Sequence, residues 1–201
     1  MNDEQEKVQD SHVEDAQLVR AFKKSHDIAS FDALVIKYKN RVFNICFRFL
    51  GEREEANDCA QETFLKVYRA LSGFREEAAF STWLYRIAMN TCKNRISSRE
   101  YRRKRMTVNP GGSENGEDRG FEIEDTRNSP VLLFERSEKA RIVREAIASL
   151  DARHRAVVIL RDIEGFSYEE IARIEGLNVG TVKSRIARAR EALKEKLKDV
   201  I

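Results

Sequence analysis

The stretch from Ser167 to Leu197, SYEEIARIEGLNVGTVKSRIARAREALKEKL, leaves the chain little choice but two helices joined at a sharp corner. Ser167 and Glu170 have the spacing of a capping box, in which a hydroxyl and a carboxylate satisfy each other's free backbone N–H groups, so a helix is expected from Tyr168. Ile171, Ala172 and Ile174 give it an inner face. Gly176 breaks it, Leu177 plugs the corner, and Asn178 stands where the next helix needs a cap. In that second helix Val182, Ile186, Leu193 and Leu197 are expected to face inward. Thr181, Ser184, Arg185 and Arg188 project from the other side, with Lys183 beside them. Hydrogen-bonding and cationic side chains at the N-terminal end of a helix suit the major groove of duplex DNA. A solvated basic helix is the plainer alternative, and the tight helix–glycine–helix spacing speaks against it. Arg190, Lys194, Lys196 and Lys198 weigh less, because Glu191 and Glu195 lie at pairing distance.

The rest of the chain is helical in pattern too. Its 201 residues suffice for one domain or two small ones, 35% of them are charged and only two are proline, which favours long helices over a turn-dense β fold. Residues 1 to about 13 are polar and are expected to form a disordered tail. Ala16, Leu18, Val19 and Phe22 then mark a first helix. Phe31, Leu34, Val35, Tyr38, Val42, Ile45, Cys46 and Phe49 recur at steps of three and four, a continuous apolar stripe with Ser30 as the expected N-cap and Gly51 just past the end. A third helix, roughly Glu54 to Leu71, is expected to bury Ala56, Ala60, Phe64, Val67 and Leu71. A fourth is expected from near Ser81 to Arg105, with Leu84, Ala88, Thr91, Arg95 and Ile96 along one side.

From about Thr107 to Leu133 the periodicity vanishes. This stretch carries six acidic residues against two arginines, and reads as a flexible linker whose extended reach, about 90 Å, exceeds two turns of DNA. Ile142, Val143, Ile147 and Leu150, then Val157, Val158 and Leu160, resume the helical pattern. The expected fold is all-α: two small helical domains, residues 14–106 and 134–201, joined by the acidic linker 107–133, the second domain a helix-turn-helix.

Several function classes are excluded on composition. Cys46, Cys59 and Cys92 are widely separated, form no C-x-x-C pair and fit a reducing compartment. Cys46 lies on the apolar stripe, where inert packing is expected, and a redox role for the three is left open. His12, His26 and His154 are scattered, so no metal site and no cofactor are expected. No paired-carboxylate or glycine-rich phosphate-binding arrangement stands at usable spacing, so an enzyme is not expected. The acidic start, MNDEQEKVQD, is no signal peptide, and no stretch approaches about 18 apolar residues. A cytoplasmic protein with no direct membrane insertion is expected.

Two further faces invite partners. On the third helix Asp58, Gln61, Glu62, Leu65 and Arg69 share one side, which suits solvent or a docked protein equally. The fourth carries a polar row, Arg86, Asn90, Lys93, Asn94 and Ser97, followed by the basic run Arg99, Arg102, Arg103, Lys104 and Arg105. Phe74, Phe80, Trp83 and Tyr85 stand at or just before its start. Cations for phosphates and ring faces for unstacked bases are what single-stranded DNA requires, although Trp83 alone fits a core position as well.

Three stretches, DCAQETFLKVYRAL, FREEAAFSTWLYRIAMNTCKNR and LRDIEGFSYEEIARIEGLNVGTVKSRIARAREAL, stand in the order found in the extracytoplasmic-function sigma factors of bacterial RNA polymerase, and the chain resembles that family over about residues 14 to 201. The resemblance implies a region 2-like domain followed by a region 4-like domain, in a factor that joins core polymerase and opens promoters for a specific, stress-related gene set. It assigns Asp58, Gln61, Glu62 and Phe64 to the β′ clamp helices, Phe64 itself being expected to pack inward. It assigns the loop Phe74 to Phe80, with Arg75, to a flipped base of the −10 element. Trp83, Arg86, Asn90, Lys93 and Asn94 would serve the melted strand or its junction with the duplex. Lys183, Ser184 and Arg188 match the readers of the duplex −35 element, flanked by Thr181, Arg185 and Ala187. The linker would thread the active cleft and RNA exit path, the second domain would meet the β flap, and an anti-sigma factor would hold the protein inactive. There are departures. Asp151 replaces a common proline and can cap a helix instead, Ala187 is smaller than usual, and the −10 loop carries two acids, Glu76 and Glu77. A helix-turn-helix regulator that never joins polymerase remains the alternative.

Overall fold

The apolar stripe becomes the central helix of the N-terminal half. In the computed structural model, which describes residues 2–98 and 130–198, α2 spans Ile28–Leu50 and buries Leu34, Tyr38, Val42, Ile45, Cys46, Phe49 and Leu50. Its cap is Asp27, not Ser30. The Asp27 carboxylate accepts the N–H groups of Ala29 and Ser30 at 3.2 and 3.1 Å, and also the Ser30 hydroxyl. A carboxylate satisfies more of the free donors at a helix start than a lone hydroxyl does and opposes the helix dipole favourably, so the helix begins three residues earlier than expected. Gly51 ends it in the left-handed conformation, φ +81°, its N–H donating to Phe47 O at 2.8 Å.

Around α2 stand α1 (Asn2–Ser25), α3 (Arg53–Ala70) and α4 (Phe80–Ser97). The first of these starts well inside the stretch expected to be a disordered tail. Once Asp15, Val19 and Phe22 are packed, extending an existing helix through good helix formers such as Glu4, Glu6 and Lys7 needs no new nucleus. In α3 the buried residues are Ala56, Cys59, Ala60, Thr63 and Val67. Phe64, expected inside, is only half-buried, because Thr63 one position earlier takes the inner side. Helix α4 stops eight residues short of Arg105. Ser98 turns extended, and its N–H closes on Asn94 O at 3.0 Å. The basic run from Arg99 to Arg105 and the linker residues 107–129 lie outside the described residues.

The C-terminal half opens with α5 (Pro130–Ala148), so the last four residues assigned to the linker are helical. Proline at a first helical position loses no hydrogen bond and presets φ. Asp151 caps α6 (Ala152–Val158), accepting from the N–H groups of Arg153 and His154 at 2.9 and 3.0 Å, and the helix continues through a π turn, Ile159–Ile163. The helix-turn-helix is α7 (Tyr168–Glu175) and α8 (Val179–Leu197). Both arms of the Ser167–Glu170 capping box are present, and Asn178 caps α8 by accepting Thr181 N–H at 2.7 Å. Val182, Ile186 and Ala189 are buried on α8, whereas Leu193 and Leu197 are only half-buried. Arg190 ignores its helical neighbours and donates to Asp162, its Nε at 3.2 Å.

Gly176 turns the corner at φ +67°. A Cβ there would meet nothing nearer than Arg86 Nη2 at 4.0 Å, so substitution meets backbone strain without a clash. Gly176→Ala should cost about 1–2 kcal/mol and lower the melting midpoint by about 2–4 °C per kcal/mol; a midpoint equal to that of the parent protein would refute this account of the turn.

The two halves share one hydrophobic core. It runs without interruption from Val19 and Phe22 through Tyr85 and Phe166 to Ile186 and Ala189. The sequence predicts two helical domains joined by a linker; the two pack on each other, α4 against α7, and α2 against α5 and the π turn.

Candidate nucleic-acid interface

Helix α4 and the loop before it hold the residues assigned to melted DNA. Trp83 stacks on Phe74 with ring centroids 4.8 Å apart at 30°, and Phe80 packs beside both. Phe74 and Phe80 are buried, so of the three aromatics Trp83 is the half-exposed one. The chain between them is pinned from α1: Lys23 Nζ donates to Phe74 O at 2.9 Å, and Glu76, at φ +57°, receives Arg20 Nε at 3.1 Å. Glu76 is thus turned back and neutralised, while Glu77 stays exposed near Arg75. A cleft of about 900 Å³ opens here, with Arg69, Arg75, Arg86 and Arg173 around the Trp83–Phe74 pair. Four guanidinium groups around an aromatic platform suit phosphates and an unstacked base. Arg86, Asn90 and Asn94 are exposed along α4.

Lys93 is different. Its ammonium donates to both carboxylate oxygens of Glu175, each at 2.6 Å, and that carboxylate side chain is 2% exposed. The contact belongs to a larger junction between the halves. Glu164, its side chain 9% exposed, receives Arg41 Nε and Arg48 Nη1 at 3.2 Å each. The Arg41 guanidinium also lies over the rings of Tyr85 and Phe166, which meet edge to face at 5.2 Å. Burial pushes the Tyr85 phenol up to about 12.

On α8, Lys183, Ser184, Ala187 and Arg188 are exposed, while Thr181 and Arg185 are half-buried. Ser184 donates its hydroxyl to Thr181 O at 3.0 Å, and Lys183 sits over the Tyr168 ring. The side of α8 that the sequence assigns to duplex DNA is therefore open in this arrangement.

The face of α3 is a groove as well as a polar row. Ile28, Phe31 and Val35 of α2 and Gln61, Phe64, Leu65 and Tyr68 of α3 line a hollow of about 570 Å³. Leu65 is 56% exposed and Ile28 61%. Asp58 is exposed, and Glu62 pairs with Lys66 at 2.7 Å and Arg95 at 3.7 Å. Tyr68, Ile28 and Phe31 escape a reading of α3 alone, because the groove needs two helices side by side.

The three cysteines, far apart in sequence, come together. Cys92 shares side-chain hydrogen bonds with Cys46 and Cys59, which push its thiol well up, whereas the bond from Cys92 and the Arg95 guanidinium lower that of Cys59. All three are buried. No group of His, Cys, Asp and Glu among the described residues could hold a metal ion, and no described helix is long and apolar enough to cross a membrane.

Two family models match the chain: Sigma-70 region 2 over residues 34–102 and Sigma-70, region 4 over residues 140–193. The chain is 40% identical over 190 residues to the RNA polymerase sigma-H factor of Pseudomonas aeruginosa, covering 94% of this chain and 96% of that protein. It is 41% identical over 175 residues to the ECF RNA polymerase sigma-E factor of Escherichia coli, covering 87% and 90%. Among solved structures, CnrH in complex with the cytosolic domain of CnrY matches with a TM-score of 0.65 at 25% identity, over 94% of this chain and 98% of that one. The sigma factor RpoE in complex with the anti-sigma factor NepR from Bartonella quintana matches in fold, with a TM-score of 0.61 at 24% identity, over 85% and 98%.

Proposed function

The chain belongs to the extracytoplasmic-function subfamily of the sigma-70 family of bacterial RNA polymerase sigma factors, and from that membership we propose how its two halves divide the work of opening a promoter. It is an alternative sigma factor: it binds core RNA polymerase and promoter DNA and initiates transcription of a particular gene set. It acts in the cytoplasm and makes no bonds itself, the polymerase supplying the catalysis.

The observation that carries the division of labour is that one fold presents three separate surfaces of three chemistries. The groove along α2 and α3, apolar with Asp58, Gln61 and Glu62 beside it, receives the β′ clamp helices. Here the half-exposed Phe64 acts directly, as part of the contact. The exposed Lys183, Ser184 and Arg188 of α8 enter the major groove at −35, with Thr181 and Arg185 positioning the helix and Ala187 leaving room beside the bases. Trp83 and the arginines of the cleft hold an unstacked −10 base and its phosphates, offsetting unstacking costs of a few kcal/mol per step with stacking of about 1–3 kcal/mol per base. The acidic linker follows the polymerase channels, the C-terminal half meets the β flap, and an anti-sigma factor restrains the protein.

Run-off transcription with core enzyme on a cognate promoter tests this. Trp83→Ala should reduce open-complex formation about tenfold or more with −35 duplex binding unchanged, while Arg188→Ala should weaken duplex binding first. No promoter-dependent transcript with the parent protein would sink the whole reading. Identical defects in both variants would sink the division between halves.

A further inference from the structure

The last two turns of α1 clasp the loop between Phe74 and Phe80. Lys23 Nζ donates to Phe74 O at 2.9 Å and lies 3.6 Å from Glu76 Oε1, while Arg20 Nε donates to Glu76 Oε2 at 3.1 Å. Both carboxylate oxygens of Glu76 are therefore held, and from one face of one helix, since Arg20 and Lys23 stand three residues apart. Beside them His26 Nε2 lies 3.5 Å from the Ser72 hydroxyl. His26 (φ +54°) and Glu76 (φ +57°) are also the two non-glycine residues with left-handed backbone among the described residues. A glutamate lacks the short local hydrogen bond that lets Asn or Asp visit this region, and it persists there only where its surroundings demand it. The demand at Glu76 comes from α1, which is itself fixed by the buried Asp15, Val19 and Phe22.

We infer that Glu76, clasped by Lys23 and Arg20 of α1, is a positioning residue for −10 base selection: the clasp holds the loop in the one shape that admits the correct base. This rests on the assignment of the loop to the −10 element made above. The Phe74 carbonyl held by Lys23 belongs to the residue whose ring stacks on Trp83 at 4.8 Å. The clasp thus fixes one wall of the cleft together with its backbone. It also turns the Glu76 carboxylate to α1 and away from the phosphates assigned to Arg75 and Arg86. A loop preformed in this way loses little freedom when a base enters. Without the clasp the loop samples several shapes, and the correct base meets only the competent fraction. Other bases find shapes that fit them, so discrimination falls.

The test uses full-length Glu76→Gln, Lys23→Met and the conservative Lys23→Arg. Glu77→Gln is the charge-matched comparison, because Glu77, its side chain 78% exposed, meets Arg75 at 4.0 Å rather than α1. In the free protein, acrylamide quenching reads Trp83, the one tryptophan of the chain. The quenching constant should rise about twofold in Glu76→Gln and Lys23→Met and stay near the parent value in Lys23→Arg and Glu77→Gln. In holoenzyme, open-complex formation is measured on a cognate promoter and on its single-base −10 variants. The preference for the cognate base should fall about three- to tenfold in Glu76→Gln and Lys23→Met and be kept in Lys23→Arg. Charge alone predicts otherwise: removing an acid tightens, and removing a lysine weakens, binding to every sequence alike, leaving the preference as it was. An unchanged preference in Glu76→Gln, or the same loss in Glu77→Gln, overturns the proposal. So does unchanged quenching in both clasp variants, or a defect in Lys23→Arg as deep as in Lys23→Met. Should Lys23→Met fail to fold, Glu76→Gln, on its exposed loop, decides alone. A parent holoenzyme that transcribes but ignores every −10 substitution removes the assignment of the loop, and the proposal with it, while the quenching still records the clasp.

Discussion

Leu65→Asp should lower the affinity for core RNA polymerase by about a hundredfold or more while leaving the helical content and melting midpoint close to those of the parent. Leu65 stands 56% exposed in the groove with Phe31, Phe64 and Tyr68, so it contributes little to the folded monomer, and surface substitutions of this kind shift stability by about 0.5 kcal/mol or less. In a docked complex the same side chain is desolvated at the centre of an apolar contact. Interface anchors of that type are worth about 2–4 kcal/mol, and a buried unpaired carboxylate adds its own desolvation cost. Titration of labelled protein against core enzyme measures the affinity directly. An affinity within twofold of the parent would remove the groove from the docking surface. Glu62→Lys is a weaker probe, because Glu62 already pairs with Lys66 and Arg95 and its loss would also disturb α3.

The largest effect on stability is expected at Arg155. This arginine is 4% exposed. It donates to Phe49 O at 2.7 Å and Leu150 O at 2.9 Å, and also to Ala148 O, and its guanidinium lies over the Phe49 ring. The carbonyls of Ala148 and Leu150 are in and just after the last turn of α5, where no helical N–H is available to them. Arg155→Ala would leave buried acceptors unsatisfied at several points and open a cavity, a loss of about 3–5 kcal/mol. Arg155→Lys should recover only part of it, since a single ammonium cannot reach the fan of carbonyls that a planar guanidinium spans. Urea denaturation followed by circular dichroism reads the change. A midpoint unchanged in Arg155→Ala would mean that these hydrogen bonds contribute nothing net.

Much of this molecule is legible in one dimension because its determinants are local. The capping box at Ser167 and Glu170, the left-handed Gly176, the Asn178 cap and the Asp151 cap involve partners within a few residues of each other, and local backbone demand decides them. The apolar stripe of α2 is equally plain, since a period of 3.6 shows in any sequence whose helix is buried along one side. The errors are also local in kind. Ser30 loses the cap to Asp27 because two acceptors competed within one turn. Phe64 gives way to Thr63 because the buried stripe through Ala56, Ala60 and Val67 also runs over Cys59 and Thr63, four residues apart, and leaves Phe64 at its edge.

What could be seen in the sequence was therefore the set of helices, their caps, and the residue types suited to protein docking, duplex DNA and melted DNA. Only the tertiary structure decided how these meet. It set Phe31 of α2 beside Leu65 of α3 to make a groove, gathered Cys46, Cys59 and Cys92 from three helices, and placed Glu175 on Lys93, 82 positions away in the chain. Periodicity says which face of a helix is buried but not which partner buries it. Pairing between distant charges is set by the packing of whole helices, and no short-range pattern records it.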